Sequence, residues 1–315
     1  MPRALADSVV VVTGASSGIG RASALAFAER GARVVVAARR EEALRGLASE
    51  CGDALAVPTD VTDEAAVQEL ARRAVETYGR IDVWFNNAGV YLLGRFEDTP
   101  PEAFRQVVET NFFGAVHGAR AALPRFRSQG NGTLINTASI LGRVAGPYLS
   151  AYSAGKFAIR GLTEALRQEL RGAGDIHACA VLPAPIDTPL FRHTANYTGR
   201  AVKPPRPVYD ADQVARAVVS LAERPRKEVI VGGSGRMLAV QQRLSLRLGE
   251  WGSAVYIEAD TFADGSAPPT DGNLYAPVRG RETVGDGWRS NVVLRSAPAL
   301  LAAALPAAGL IWLRR

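Results

Sequence analysis

Cysteine is nearly missing from this chain. The two present, Cys51 and Cys179, lie far apart and form no paired framework. That excludes a disulfide-stapled domain and suits a reducing compartment. Histidine is almost as scarce, and His117, His177 and His193 show no metal-ligand spacing with each other or with a cysteine. No metal is expected. The formal charge is +6, yet there is no long basic run, because the arginines are scattered among acids. This argues against a nucleic-acid stripe. The N-terminus, Met1-Pro2-Arg3-Ala4-Leu5-Ala6-Asp7, lacks the apolar core of a signal peptide, so export is not expected and a cytoplasmic location is.

What the chain has is alternation. Its 315 residues can bury a substantial core as one large domain or two small ones. Val9 to Val12 is a short β-branched run, expected as a buried strand. It runs into Thr13-Gly14-Ala15-Ser16-Ser17-Gly18-Ile19-Gly20, then a helical stretch from Arg21 to Arg30. Gly31 ends that helix, and Arg33 to Ala38 is the next strand. Strand, glycine turn, helix and strand within ~30 residues make a βαβ unit. Its glycines let the backbone approach a pyrophosphate, whose charge the helix N-terminus stabilises.

No acid closes the second strand, which ends Ala38-Arg39-Arg40. An acid about 20 residues past the glycines would bind ribose hydroxyls, whereas an arginine accommodates a 2′-phosphate. The guanidinium is always charged and binds phosphate bidentately. The expected cofactor is therefore NADP(H) rather than NAD(H).

Alternation continues through a strand at Ala54 to Val57 and a helix reaching Tyr78, capped by Asp60-Val61-Thr62-Asp63. Asp60 is either an adenine contact or part of the cap. A strand at Ile81 to Phe85 ends in Asn86-Asn87-Ala88-Gly89, and a single helix over 102–126 contains Asn111. The strand Gly132 to Ala138 delivers Ser139, and a helix reaching about Arg171 carries Tyr152 and Lys156. The strand Ile176 to Leu182 precedes Pro183-Ala184-Pro185-Ile186-Asp187-Thr188-Pro189, and a loop over 190–209, a helix over 211–223 and a strand from Glu228 to Gly232 follow. Repeated strand–helix alternation reads as an α/β fold, a doubly wound parallel sheet with active residues at the strands' carboxyl ends.

Tyr152 and Lys156 are one helical turn apart. A phenol titrates near ~10, and an ammonium beside it favours the phenolate. Such a pair can exchange a proton with a substrate hydroxyl.

Over roughly residues 5–235 the chain closely resembles the short-chain dehydrogenase/reductase family, a Rossmann-fold family. The resemblance rests on Thr13-Gly-x-x-x-Gly-x-Gly20, Asn86-Asn-Ala-Gly89, Asn111, Ser139 and Tyr152-x-x-x-Lys156, in the family's order. It implies Tyr152 as general acid/base, with Lys156 lowering its pKa and holding the nicotinamide ribose. Ser139 would bond the substrate oxygen. Asn111 would hold the water continuing the proton path while also tying its helix to a strand. The cofactor is expected to meet Gly14, Ser16, Ser17, Gly18, Ile19, Gly20, Arg39, Arg40, Asp60, Val61, Asn87, Ala88 and Gly89, then Tyr152, Lys156, Pro183, Ile186 and Thr188. Ala184 replaces the family's usual glycine after Pro183; alanine is less free than glycine to take a positive φ, and the change is expected to be tolerated.

The family forms its substrate lid where loop 190–209 lies. Phe191, Tyr197 and Tyr209, with Tyr91, Phe96 and Tyr148, suggest an apolar substrate of some bulk, unless they are loop-packing groups. Residues 1–235 are read as the catalytic domain and 236–263 as an amphipathic helical extension. The stripe Val240, Leu244, Leu248, Trp251 and Val255 recurs at three and four, with Gly249 and Gly252 as candidate breaks. It either packs on its own domain or a sister subunit, or lies on a membrane. Residues 264–291 read as an irregular linker and 292–315 as a hydrophobic C-terminal segment. Ser296 to Leu313 is uncharged, at the length needed to cross a bilayer, with Trp312 as interfacial anchor. It is a candidate membrane anchor, weakened by Pro298 and Pro306; the other options are a docked or a disordered tail.

The expectation is an NADP(H)-dependent oxidoreductase interconverting a carbonyl and an alcohol, forming a homodimer or homotetramer through the helices near 102–126 and 152–171. The alternatives are an epimerase or dehydratase using the cofactor transiently, and a cofactor-sensing protein without turnover.

Overall fold

The computed structural model describes residues 3–278 and 282–289. In it the N-terminal valine run is buried on both sides. β1 (Val9–Thr13) sends Val10 and Val12 into one core and Val9 and Val11 into the other. Alternating side chains make this the arrangement of a strand covered on both faces.

The chain continues through α1 (Gly18–Ala28), β2 (Arg33–Ala38), α2 (Glu41–Cys51), β3 (Ala54–Pro58), α3 (Glu64–Tyr78), β4 (Val83–Asn86) and the short β5 (Leu92–Leu93). Next come α4 (Pro101–Val108), α5 (Gly114–Gln129), β6 (Asn131–Thr137), α6 (Ser150–Glu169), β7 (Asp175–Pro183), β8 (Ala195–Asn196) and β9 (Arg200–Val202). The described elements end with α7 (Ala211–Glu223), β10 (Glu228–Val231), α8 (Gly233–Leu244), α9 (Leu246–Asp260) and β11 (Phe262–Ser266).

Seven strands form one parallel sheet in the order β10-β7-β6-β4-β1-β2-β3. One face is covered by α1, α2 and α7 through Phe27, Leu44, Leu47, Val214 and Val218. On the other, α3 and α5 bring Val67, Leu70, Ala122 and Phe126, and α6 brings Ile159. Strand order reverses between β1 and β4, which opens a crevice at their carboxyl ends.

Three expectations are corrected. The first helix begins at Gly18, not Arg21, so the end of the glycine turn is also the helix's N-terminus. The single helix expected over 102–126 is interrupted by a π-helical turn at Glu109–Phe113. That wider turn adds a residue against the 3.6 period, and Asn111 inside it reaches the backbone of Val90.

The third concerns the extension. The chain breaks at Ser245, in extended backbone, not at Gly249 or Gly252. Both glycines lie within α9, where a Cβ at Gly249 would stand 2.8 Å from Gln242 Cα. Folding back there seats small residues between the two helices, so Val240, Leu244, Leu248, Trp251 and Val255 remain exposed. Leu238, Ala239 and Ile257 instead join a cluster with Tyr91, Leu141 and Phe191. No described helix is long and apolar enough to cross a membrane. The candidate anchor Ser296–Leu313 lies outside the described residues.

Candidate active site

Gly14 and Gly18 have φ of +64° and +57°. A Cβ on Gly14 would lie 2.7 Å from Ala88 Cα, and one on Gly20 would lie 2.2 Å from the Gly14 oxygen. The turn is thus pressed onto the end of β4. Asn87 locks it there: its backbone N–H donates to Thr13 Oγ1 at 3.0 Å, and its side-chain amide donates to the Thr13 and Gly14 carbonyls. The N-terminus of α1 faces the crevice, its Gly18 N–H donating to the Thr283 carbonyl at 2.9 Å. This cradle fits an anionic pyrophosphate.

The cleft brings together Gly14, Ser16, Ser17, Gly18 and Ile19 at the turn, Arg39, Arg40, Asp60 and Val61 at one end, and Asn87, Ala88 and Gly89 beside the turn. Ser139, Tyr152 and Lys156 line the other end, with Pro183, Ile186 and Thr188 across from the turn, where the Thr188 side chain packs against Gly18. Two of the expected residues do not line it. Gly20 lies beneath the turn. Asn111, buried behind Gly89, accepts from the Val90 N–H at 2.8 Å and donates to the Val90 carbonyl at 3.0 Å.

At the arginine end, Arg40 Nη2 donates to Ser16 Oγ at 3.2 Å, and Arg39 donates to the carbonyls of Asn273 and Leu274. Both readings of Asp60 have a structural counterpart. Its carboxylate lines the cleft and accepts from the Thr62 N–H and hydroxyl, while Asp63 caps α3 through the N–H groups of Ala65 and Ala66.

At the other end, α6 sets Tyr152 and Lys156 one turn apart. Lys156 Nζ donates to the Thr137 carbonyl at 2.8 Å and lies 5.5 Å from the Tyr152 ring centroid. Ser139 Oγ accepts from the Leu141 N–H at 3.1 Å and hydrogen-bonds Tyr152. Burial pushes the Tyr152 phenol up to about 12, against the pull of the Ser139 bond. Burial also brings the Lys156 ammonium down to about 7. This differs from the expectation that the lysine depresses the phenol. Burial penalises the charged forms of both groups, and the ammonium is engaged with the Thr137 carbonyl.

Of the six aromatics proposed for substrate, Tyr91 and Phe191 line the cleft. The Tyr91 ring stands 4.5 Å from Tyr152 and 5.4 Å from Phe191, both edge-on. The other four pack elsewhere. Tyr209 Oη accepts from the Ser234 N–H, Tyr197 bonds Asp271, Tyr148 meets Phe262 edge-on, and Phe96 stands in solvent against Phe104. Sequence reasoning missed Ile140, Leu141 and Leu190, and also Leu238, Tyr256 and Ile257 from the α8–α9 hairpin. The only signal was that Leu238 and Ile257 lie off the exposed stripe. Asn273, Pro277 and Val278 were missed as well.

Ala184 is buried and is not in the left-handed region; its N–H donates to the Val231 carbonyl at 2.8 Å. The alanine is accommodated.

A doubly wound parallel sheet, a glycine-walled crevice at its switch point and a Ser–Tyr–Lys cluster at one end define a dinucleotide-binding oxidoreductase. The short chain dehydrogenase family model matches residues 8–197. An uncharacterized oxidoreductase of Bacillus subtilis (strain 168), YxnA, is 38% identical over 251 residues, 78% of this chain and 70% of that one. One of Staphylococcus aureus (strain USA300) is 36% identical over 224 residues, 70% of this chain and 94% of that one. Among solved structures, a short chain dehydrogenase/reductase from Burkholderia phymatum in complex with NAD superposes with a TM-score of 0.72 at 27% identity, covering 79% of this chain and 97% of that chain. A short-chain dehydrogenase from Streptomyces avermitilis gives 0.69 at 32%, covering 76% and 94%. The chain belongs to the short-chain dehydrogenase/reductase family.

Proposed function

We propose that this protein is an NADP(H)-dependent oxidoreductase that interconverts a carbonyl and an alcohol on an apolar substrate. The observation that carries this reading is one cleft with Tyr152, Ser139 and Lys156 at one end and Arg39 and Arg40, with no terminal acid on β2, at the other. A nicotinamide cofactor, when bound, supplies or accepts the hydride. Tyr152 Oη gives its proton to the substrate oxygen in reduction and takes it back in oxidation. Ser139 donates to the same oxygen and stabilises developing negative charge there. Lys156, when protonated, favours the phenolate. The Asn111 side chain buttresses this end through Val90, and the backbone carbonyl of Thr137 holds Lys156. Tyr91, Leu141, Phe191 and Leu238 offer the substrate an apolar wall.

The arginines support the coenzyme preference, since a guanidinium pairs with a 2′-phosphate that NAD(H) lacks. Self-association is proposed through α5 and α6, near which Phe113 and Phe157 are exposed. Contact with a membrane surface is proposed for the outward face of α8–α9 together with the uncharged segment Ser296–Leu313, in a protein that otherwise works in the cytoplasm.

The test is NADPH oxidation against a panel of ketones, aldehydes and steroids, with Tyr152→Phe as control. Turnover that vanishes in the variant supports the reading. Tight NADPH binding without turnover on any compound overturns it in favour of a sensor.

A further inference from the structure

The segment after β11 returns to the cofactor cleft, and it does so at the residue on which the coenzyme preference depends. Arg39 Nη2 donates to the Asn273 carbonyl at 2.7 Å and Nη1 to the Leu274 carbonyl at 3.4 Å. The Leu274 carbonyl also accepts from Gln106 Nε2 at 3.3 Å.

This segment is built in, not draped. Thr270 and Asn196 exchange backbone hydrogen bonds at 2.8 and 3.0 Å, and the Asn273 N–H donates to the His193 carbonyl at 2.9 Å. The Leu274 side chain is fully buried among Val90, Leu92, Val107 and Ala195. Gly272 has φ of +53°, and a Cβ there would stand 2.3 Å from the His193 oxygen. The segment therefore meets its support where only glycine fits.

We propose that residues 270–274 position Arg39 for the 2′-phosphate of the coenzyme, and so set the preference for NADP(H). This rests on the reading above. A guanidinium carries five N–H groups, and two are used on the carbonyls. Among the described residues, no further hydrogen bond of Arg39 competes with a ligand for the remaining three. Backbone carbonyls are neutral acceptors, so they fix the plane of the fork without cancelling its charge, as a carboxylate partner would. A free arginine surrenders rotamer freedom when it grips a phosphate; one already held has surrendered it. Asn273 itself lines the cleft, and its Oδ1 is buried without a partner.

The experiment is fluorescence titration of NADPH and NADH on the full chain, comparing Leu274→Ala, Gly272→Ala and Arg39→Ala with each double variant. Leu274→Ala loosens the segment from beneath, and Gly272→Ala pushes it off His193, so the two reach the same arginine by different routes. Each single change is expected to weaken NADPH by roughly tenfold, with NADH held within about twofold. On an Arg39→Ala background neither should move the NADPH-to-NADH ratio further. Equal weakening of both coenzymes, or an undiminished change in the ratio without Arg39, overturns the positioning role. If Arg39→Ala alone leaves the ratio unchanged, the 2′-phosphate reading of Arg39 falls, and this proposal falls with it. If Arg39→Ala lowers the ratio and neither segment variant does, only this proposal falls.

Discussion

The methyl group of Ala184 occupies space that Gly232 leaves open. A Cβ on Gly232 would stand 2.7 Å from Ala184 Cβ and 2.8 Å from the Tyr209 ring, and Gly232 has φ of +104°. The alanine that departs from the family pattern after Pro183 is thus matched by a glycine one strand away. Gly232→Ala is expected to cost about 2–4 kcal/mol, from left-handed strain and overpacking together. Ala184→Gly alone should cost about 1 kcal/mol. The double variant should cost less than the sum of the two, because the contact between the methyl groups is gone. Denaturant unfolding of the four proteins measures this. Strict additivity would mean that the two residues are not coupled.

Ser139 and Tyr152 are expected to separate in their kinetics. Tyr152→Phe removes the proposed proton donor and should lower kcat by roughly 10²–10⁴ with coenzyme binding retained. Ser139→Ala removes the hydrogen bond that opposes the upward push of burial on the phenol. The phenol's pKa then rises further, and the rising limb of the alcohol-oxidation pH profile moves to higher pH. Profiles of the wild type and Ser139→Ala check this. A Ser139→Ala limb at unchanged or lower pH would contradict the role assigned to that bond.

The sheet was legible in the sequence because its signals are local. β2 runs Arg33–Ala38 and α7 runs Ala211–Glu223, as expected, since each is an apolar pattern bounded by turn or capping residues. The glycine turn and the Ser139, Tyr152 and Lys156 cluster were legible because each residue type is demanded by its chemistry. The π-helical turn at Glu109–Phe113 was not, because one extra residue per turn leaves no mark on a periodicity count. The fold-back at Ser245 was missed because the apolar stripe was counted along one continuous helix. The approach of Asn273 and Leu274 to Arg39 left no sequence signal at all, because those contacts use backbone carbonyls, which every residue has.

Asn111 ties the π-helical turn to the strand end through two bonds to one residue. Asn111→Ala leaves both the N–H and the carbonyl of Val90 buried without partners. Each unmet group costs about 1–3 kcal/mol, so a loss of roughly 2–6 kcal/mol is expected by denaturant unfolding. A loss below about 0.5 kcal/mol would remove Asn111 from the structural account.

Lys156 makes stability depend on pH in a stated direction. Burial lowers its pKa from an ordinary value near 10.5 to about 7 in the folded chain. Between those values the unfolded chain holds a proton on Lys156 that the folded chain has released. Unfolding then takes up a proton, so stability rises with pH across that window. The slope from this group alone is about 1.4 kcal/mol per pH unit. Lys156→Met removes it. Unfolding of the coenzyme-free protein at pH 7, 8 and 9 should show the wild type gaining on the variant at each step. Parallel curves would place the ammonium in a better solvated site than its burial indicates.

The outward face of α8–α9 carries Val240, Leu244, Leu246 and Trp251 at 57%, 75%, 60% and 45% exposure. Arg236, Arg243 and Arg247 stand exposed on the same two helices. Large apolar groups beside arginines suit the interfacial zone of an anionic membrane, where each cation contributes about 1 kcal/mol. The inner face of the same hairpin brings Leu238, Tyr256 and Ile257 to the cleft, so the element carrying this outward face is also a wall of the cleft. Two kinds of membrane contact are then expected, and they can be told apart. Phosphatidylglycerol vesicles should retain the full-length protein, and the part that resists carbonate should vanish when residues after Asn291 are removed. The truncated chain should still bind these vesicles in a salt-sensitive way. Leu244→Glu and Trp251→Glu should weaken that binding at least fivefold, with turnover on a short, water-soluble substrate unchanged. If the truncated chain ignores anionic vesicles and the two variants instead halve its mass in solution, the face is a contact between copies of the chain and the lipid assignment is overturned.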